Sequence, residues 1–263
     1  MDQDPHSAAR EPPPPADPIP GACRSAPSFH RSALTPIPMH HLSIIVPALN
    51  EAEGIAATLA PLQALRARGH EVLVVDGGST DGTAEAAAPL ADRVVRSERG
   101  RARQQNAGAG EAAGDVLLFL HADTWLPNGA DRLVLQGLAR SGRGWGRFDV
   151  RLTGRQPMLR VVERMISLRS RASGIATGDQ AIFVRRGWFR AAGGFPEIPL
   201  MEDVALSRAL RRRGRPLCLR ETVLTSSRRW ETRGVWRTIL LMWRLRLEYW
   251  LGADPERLAA RYR

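Results

Sequence analysis

The stretch EVLVVDGGSTDGT, residues 71–83, joins an apolar strand to the start of a helix through a glycine-rich turn. Its Val-Leu-Val-Val segment is typical of a strand covered on both faces of a parallel sheet. Asp76 ends the strand, and Gly77 and Gly78 follow it, where they permit tight turning and close approach of a ligand. A plain strand–helix connection capped by Asp81 explains Asp81 but not the two glycines, so the pattern favours a ligand role for Asp76.

Three further apolar runs alternate with helical patterns in this half of the chain. They are LSIIVPAL at residues 42–49, RVVRS at 93–97 and DVLLFLHAD at 115–123. Asn50 is the predicted N-cap of the helix after the first run, and a polar helix is expected from about Arg101. The alternation predicts an α/β fold with a mostly parallel central sheet flanked by helices.

Polar side chains follow three of these strands at the sheet edge where ligands bind in parallel α/β folds. They are Asn50 with Glu51, Asp76, and Asp123. Each alone is compatible with an ordinary polar strand end. Because the carboxyl ends of parallel strands meet at one edge, the four side chains together predict a ligand site, with Asp123 as the candidate metal ligand.

The second half of the chain has a less regular pattern. Residues 158–168 are amphipathic, and QAIFVRR at residues 180–186 is a predicted strand. EDVALSRALRRRG at residues 202–214 is a predicted helix, because its acids at the start and arginines at the end suit the helix dipole.

The charge of the chain is unevenly distributed. The net charge is +11, all 38 basic residues are Arg, and residues 140–263 hold 27 of them with 11 acidic residues. A GC-rich genome is the simple explanation for the arginine content. The functional explanation is an anionic partner, either nucleotide phosphates, nucleic acid or a membrane surface.

The sequence lacks the motifs of several common classes of binding and catalytic site. GAGEAAG, at residues 108–114, precedes a strand instead of following one, so it does not fit a dinucleotide-binding loop. The sequence contains no Walker Gly-Lys-Ser/Thr, no zinc spacing of Cys and His, and no Gly-x-Ser-x-Gly. Cys23 and Cys218 form no motif and fit a reducing cytosol.

The two ends of the chain differ from its middle. Residues 1–41 hold 10 of the 19 prolines and are predicted to be a disordered leader, with Met39 as an alternative start. Residues 231–263 are a predicted amphipathic helical segment, whose large apolar residues are Trp236, Ile239, Leu240, Trp243, Leu247 and Trp250. This face either packs into the core or lies at a membrane interface, and no apolar run is long enough to span a membrane.

Six segments, in the order found here, resemble the family 2 glycosyltransferases, which have the GT-A fold. They are SIIVPALNEAEGI, VLVVDGGSTDGT, RGRARQQNAGA, LLFLHADT, GDQAIFVRR and GGFPEIPLMEDVALSRALRRRG. The sequence is most similar to a compact bacterial subgroup with His-Ala-Asp where larger relatives have Asp-x-Asp. The resemblance implies a GT-A, or nucleotide-diphospho-sugar transferase, domain over residues 42–230.

The resemblance also implies roles for individual residues. Asp203 is implied as the catalytic base, and Asp123 as the ligand of a divalent metal, Mg²⁺ or Mn²⁺. The motif SSRRW has Ser226 where processive members have Gln, which argues against processive polymerisation. The implied substrate-binding residues are Pro47, Asn50, Glu51, Asp76, Gly78, Arg101, Asn106, His121, Ala122, Asp179, Glu202, Arg229 and Trp230.

Together these features predict an inverting, metal-dependent transferase that moves a sugar from a nucleoside-diphosphate sugar, with UDP-sugars favoured, to an acceptor hydroxyl. One carboxylate, diphosphate oxygens and water suffice to hold Mg²⁺ or Mn²⁺. We expect a cytoplasmic protein, with a lipid-linked acceptor and peripheral contact with the inner face of the cell membrane if residues 231–263 are interfacial. The alternatives are a non-catalytic nucleotide-binding protein and a nucleic-acid-binding protein, although the chain has few aromatic residues for base stacking.

Overall fold

The computed structural model of the chain describes residues 41–262, so residues 1–40 of the predicted leader, with the alternative start at Met39, lie outside the described residues. Its strands are β1 (Leu42–Ala48), β2 (Glu71–Asp76), β3 (Arg93–Arg96), β4 (Val116–Phe119), β5 (Thr124–Trp125), β6 (Trp145–Leu152), β7 (Phe183–Arg185) and β8 (Leu217–Thr225). The helices are α1 (Ala52–Leu59), α2 (Gln63–Arg66), α3 (Thr83–Ala87), α4 (Arg101–Glu111), α5 (Ala130–Ser141), α6 (Pro157–Ser173), α7 (Arg186–Ala191), α8 (Glu202–Arg213), α9 (Arg228–Arg233), α10 (Val235–Trp250) and α11 (Pro255–Tyr262).

The eight strands form one sheet in the order β3-β2-β1-β4-β7-β6-β8-β5. Strands β3, β2, β1 and β4 run parallel, and Ile45 of β1 lies opposite Leu73 of β2 and Phe119 of β4. The predicted α/β class with a mostly parallel sheet is therefore confirmed. The same register sets Ala48 opposite Asp76, which brings the carboxyl ends of β1 and β2 to one edge.

Both faces of the sheet are covered, which explains the continuous apolar runs of the first strands. Ile44 and Val46 point to a core shared with α1, α3, α5 and α6. Ile45, between them, points to a second core shared with α4, α7 and α8. Since successive side chains in a strand alternate between faces, both sets of positions are mainly apolar.

The second half of the sheet departs from the sequence prediction. Strand β7 pairs antiparallel with β4 and with β6, whereas β6 and β8 run parallel. Neither β6, β8 nor α5 is predicted from the sequence. The predicted strand at residues 115–123 ends at Phe119, because the chain turns out of the sheet before Asp123.

The predicted N-cap at Asn50 is wrong. Helix α1 begins at Ala52, and Asn50 adopts a left-handed conformation with φ of 54°. Asn tolerates this conformation, and its Oδ1 accepts the N–H of Thr80 at 3.0 Å. Asp81 instead accepts the Ala52 N–H at 3.1 Å and the Thr83 N–H at 3.0 Å, so one carboxylate holds the first residues of both α1 and α3.

Helix α10 packs through one face only. Thr238 and Leu245 are buried, and Leu245 joins a small core with Val204 of α8 and Leu258 of α11. The core-packing interpretation is wrong for Trp236, Leu240, Trp243, Leu247 and Trp250, which are 57–70% exposed on the opposite side. Within residues 41–262, none of the helices has both the length and the apolar character of a membrane span.

Gly108 lets α4 lie directly on the sheet. A Cβ at this position would stand 2.5 Å from Cγ2 of Ile45 and 2.8 Å from Cγ2 of Val75. Gly110, two residues along the same helix, has no atom within 4 Å of the corresponding position. The glycines of the GAGEAAG stretch therefore include one that sets the packing distance between helix and sheet.

We expect Gly108→Ala to lower the free energy of unfolding by about 1–3 kcal/mol, because the added methyl overpacks the core. The matched control, Gly110→Ala, should raise it by about 0.5–1 kcal/mol, since alanine favours the helix and meets nothing. Urea unfolding followed by circular dichroism measures both. Equal effects of the two substitutions would contradict the close packing at Gly108.

Candidate active site

A cleft of about 830 Å³ opens at the carboxyl ends of β1 and β4. It is bounded by the start of α4 on one side and by the α8, α9 and α10 segments on the other. The sequence-derived residues that line it are Pro47, Glu51, Arg101, His121, Ala122, Asp123, Asp179, Glu202, Asp203, Arg229 and Trp230. Asn50, Asp76, Gly78 and Asn106 do not line it.

Main-chain hydrogen bonds fix the segment that carries Asp123. The hydroxyl of Thr58 donates to the carbonyl of Ala122 at 2.5 Å, and the Ser226 N–H donates to the carbonyl of Asp123 at 3.1 Å. These two bonds tie the segment to α1 and to the end of β8. The half-buried carboxylate of Asp123 is thereby held at the cleft wall. Its Oδ1 accepts the hydroxyl of Thr124 at 3.5 Å, and the carboxylate retains acceptor positions for a ligand.

His121 lines the cleft two residues before Asp123 as a neutral, half-buried ring. Burial, with a smaller effect of the Arg101 charge, lowers the pKa of His121 to about 3. Its Nε2 is buried and makes no hydrogen bond within residues 41–262. A Cβ on Gly178 would stand 2.4 Å from this nitrogen, so a side chain at position 178 would force the imidazole out of its present place.

The same glycine holds the proposed base. The Gly178 N–H donates to Oδ2 of Asp203 at 2.7 Å, and Oδ1 accepts the N–H of Val204 at 2.7 Å. Two main-chain donors thus fix the carboxylate at the start of α8. This links the TGDQ and MED segments, which are 25 residues apart in the chain.

Two further acids in the cleft are buried at an electrostatic cost. Burial, and then the charge of Asp203, raises the pKa of Glu202 to about 7, although Arg101 lies 3.5 Å away. Burial also raises the pKa of Asp179, whose Oδ1 is buried without a hydrogen bond in the described part of the chain. The cleft therefore holds acids whose protonation responds to what binds there.

Arginines from the C-terminal helices complete the wall. Arg228, Arg229 and Arg233 of α9 and Arg246 of α10 line the cleft, together with Arg101. The guanidinium of Arg229 stacks 4.0 Å from the ring centre of Tyr262. Guanidinium groups suit bidentate contacts with phosphate oxygens, so this wall can receive an anionic ligand.

Some of these groups carry no recognisable signal in the sequence. Arg246 lies in a helix that reads as a separate segment, and Arg228 and Arg233 resemble the other surface arginines. Gln104 was also not predicted. Its buried amide donates to the carbonyls of Ala48 and Val75 at 2.8 Å each, which ties the ends of β1 and β2 together beside the cleft.

The residues outside the cleft have local structural roles. The side-chain amide of Asn106 bonds the main chain of Phe195 at 2.8 and 2.9 Å, so it holds the loop after α7 and does not line the cleft. The Asp76 carboxylate accepts the N–H groups of Gly78 and Ser79 at 3.2 Å. The left-handed φ of 87° at Gly78 accounts for the glycine there.

The donor set fits a hard divalent cation only when the ligand contributes oxygens. Residues 41–262 contain no group of three or more His, Cys, Asp or Glu side chains placed to hold a metal ion. A single carboxylate at Asp123 suits Mg²⁺ or Mn²⁺, which prefer oxygen, because substrate phosphates and water complete such sites.

Comparisons with known proteins agree with this architecture. Residues 43–188 match the sequence model described as Glycosyl transferase family 2. Glycosyltransferase AglE of Haloferax volcanii is 32% identical to this chain, over 37% of this chain and 36% of its own length. The chain thus spans about a third of this curated relative.

Two solved structures share the fold. The S. aureus TarS structure in complex with UDP-GlcNAc has a TM-score of 0.57 and 20% identity, covering 71% of this chain and 58% of that one. The mannosyltransferase PcManGT from Pyrobaculum calidifontis, in complex with GDP-Man and Mn²⁺, has a TM-score of 0.55 and 24% identity, covering 70% and 56%. The GT-A fold is thereby confirmed.

The raised pKa of Glu202 predicts that the stability of the protein depends on pH. Between the ordinary pKa of 4.5 and the raised value of about 7, folded Glu202 binds more protons than unfolded Glu202, so stability falls as pH rises. In metal-free buffer, Glu202→Gln should therefore raise the free energy of unfolding by up to about 3 kcal/mol at pH 8 and by little at pH 5.

Thermal unfolding at pH 5 and pH 8 measures this difference. The control is Glu221→Gln, which removes an exposed acid of β8 and should leave the pH dependence unchanged. A Glu202→Gln variant that is destabilised more at pH 8 than at pH 5 would contradict the assigned pKa direction.

Proposed function

The chain belongs to glycosyl transferase family 2, and we propose that it moves a sugar from a nucleoside-diphosphate sugar to an acceptor hydroxyl with inversion at the anomeric carbon. One observation carries the proposal: a single cleft joins the carboxylate of Asp123, a wall of arginines and the doubly held carboxylate of Asp203. The TarS and PcManGT structures contain UDP-GlcNAc and GDP-Man, and we favour a UDP-sugar here.

The nucleoside is proposed to lie at the ends of β1 and β2. Pro47 and Glu51 face the cleft there. A carboxylate offers about four acceptor positions, so Asp76 retains capacity for the base although it already accepts two N–H groups. Asn50 and Gly78 would act through the loop conformation that they support.

The diphosphate is proposed to lie between Asp123 and the arginines. Arg101 and Arg229 would contact phosphate oxygens by charge-assisted hydrogen bonds. Asp123, with Ala122 beside it, would hold a divalent cation, which when bound supplies Lewis-acid stabilisation of the departing diphosphate. His121 adds no charge at neutral pH, because its pKa is about 3, and Trp230 supplies an apolar wall.

Asp203 is proposed to accept the proton of the acceptor hydroxyl. The hydroxyl oxygen forms the new bond to the anomeric carbon, the bond to the diphosphate breaks with its electron pair, and the proton passes to the Asp203 carboxylate. The two main-chain N–H groups at 2.7 Å keep that carboxylate oriented. Asp179 and Glu202, on the same wall, would hydrogen-bond the donor sugar or the acceptor.

Asp203→Asn should spare donor binding and lower turnover by roughly 10²–10⁴-fold, because the amide accepts the Gly178 N–H but is not a base. A thermal-shift screen of nucleotide sugars with Mn²⁺ first identifies the donor. Isothermal titration then measures donor affinity, and release of the nucleoside diphosphate measures turnover. The control, Glu53→Gln, alters an exposed acid of α1 outside the cleft and should change neither.

Unchanged turnover in Asp203→Asn would remove Asp203 from the role of base. Donor binding by the wild-type chain without release of nucleoside diphosphate, tested with water and simple acceptors, would favour a non-catalytic nucleotide-binding protein.

A further inference from the structure

Helix α10 exposes a long apolar stripe. We define its outer face as Trp236, Leu240, Trp243, Leu247 and Trp250, which are exposed by 66, 66, 62, 57 and 70%. Their spacings of four, three, four and three residues place all five on one side of the helix. The five residues therefore form one continuous apolar stripe and are not scattered single surface residues.

The outer face is large for the free surface of a monomer. An aromatic side chain buries about 150–250 Å² when fully covered, so three tryptophans exposed by 62–70% present roughly 300–500 Å². With the two leucines, the stripe exceeds the few hundred Å² that monomers commonly expose. A surface of this kind is expected to have an occupant.

Positive charge borders the stripe. Arg237 and Arg244 follow Trp236 and Trp243 directly, and both are exposed. The nearest acid on the helix, Glu248, accepts from Arg244 and from Arg261 at 2.7 Å each, so the border retains a positive excess. A positively charged border around tryptophan and leucine suits an anionic lipid surface, where aromatic rings lie among the headgroups.

A neighbouring helix repeats the arrangement. Helix α6, which contacts α10, exposes Val161, Met165 and Leu168 by 49–61% at spacings of four and three residues. Arg164 lies within this stripe and is exposed. Two adjacent helices thus each present apolar side chains with arginine beside them.

The inner side of α10 belongs to the cleft. Thr238, Met242 and Arg246 line it, and they recur every four residues on a side of the helix away from the outer face. One helix therefore carries the apolar stripe on one side and a wall of the proposed active site on the other.

We propose that the outer face of α10 docks the protein on an anionic membrane surface and thereby presents the cleft to a lipid-borne acceptor. Membrane docking does not depend on the glycosyl transfer proposed above. Only the inference of a lipid-borne acceptor rests on that proposed function. Arg237 and Arg244 would contact lipid phosphates, while the tryptophans and leucines enter the boundary between headgroups and acyl chains.

A second copy of the chain fits the outer face less well. Coiled coils prefer branched aliphatic residues at the seam and extend over at least about three heptads. Helix α10 has 16 residues and three tryptophans in its stripe. Bulky aromatic rings bordered by arginine are more typical of a membrane interface.

Vesicle flotation of the full chain tests the proposal. Vesicles of phosphatidylcholine alone are compared with vesicles that contain a quarter phosphatidylglycerol, at low and high salt and without nucleotide sugar. We expect partition to the anionic vesicles, weakened by salt. Trp243→Ser with Leu247→Ser should lower the binding constant at least about tenfold, and Arg237→Gln about fivefold on anionic vesicles only.

Matched controls come from other surfaces. Leu224→Ser removes an exposed apolar side chain of β8, and Arg132→Gln removes an exposed arginine of α5, and neither should change binding. Circular dichroism confirms that each variant is folded. Absence of binding by the full chain, or full binding by the Trp243→Ser, Leu247→Ser variant, would overturn the proposal.

Analytical sedimentation without vesicles tests whether a second copy of the chain occupies the outer face. A dimer that the double variant abolishes, together with no vesicle binding, would assign the outer face to a second copy. Since no donor is present in these measurements, a failure of membrane docking is separate from a failure of glycosyl transfer.

Discussion

The contact between Gly178 and His121 is the constraint on which the two halves of the cleft depend. The imidazole occupies the space that any side chain at position 178 would need, with its Nε2 2.4 Å from the Cβ position. The N–H of the same glycine holds Oδ2 of Asp203. The segment carrying Asp123 and the helix carrying Asp203 are thus set at a fixed separation through one residue without a side chain. His121 therefore has a structural role. A neutral imidazole can be packed in this position, whereas a carboxylate in its place would bring a charge that is costly to bury.

Electrostatic cost is concentrated in this cleft. Burial, and then the charge of Asp203, raises the pKa of Glu202 to about 7. Burial is also the main cause of the raised pKa of Asp179. Burial, and then Arg246, lowers the pKa of Arg169 to about 10 behind the same wall. A site that destabilises its own free form in this way is preorganised for a ligand that brings compensating charge and hydrogen bonds. A diphosphate with its cation on one side, and sugar hydroxyls on the other, would supply both.

The sequence predicted the parts of the structure whose signals are local. Strands β1, β2 and β4 are apolar on both faces, so their burial, order and common carboxyl edge could be predicted. Strand β6 could not, because it contains Arg147 and Asp149, which read as surface residues. In the folded chain Arg147 is fully buried and bonded to Asp149 and to the carbonyl of Ser167 at 3.0 Å. Likewise, nothing in the sequence shows that Asn106 bonds Phe195 and that Arg246 reaches the cleft, since both depend on long-range packing.

We propose that Asp123 binds the cation of a metal–diphosphate complex. The most direct measurement is a crystal of the chain grown with UDP and Mn²⁺, with anomalous scattering recorded for manganese. We expect one anomalous peak within bonding distance of a carboxylate oxygen of Asp123, with diphosphate oxygens completing the shell beside Arg101 and Arg229. A diphosphate bound elsewhere, or a manganese ion without contact to Asp123, would contradict it.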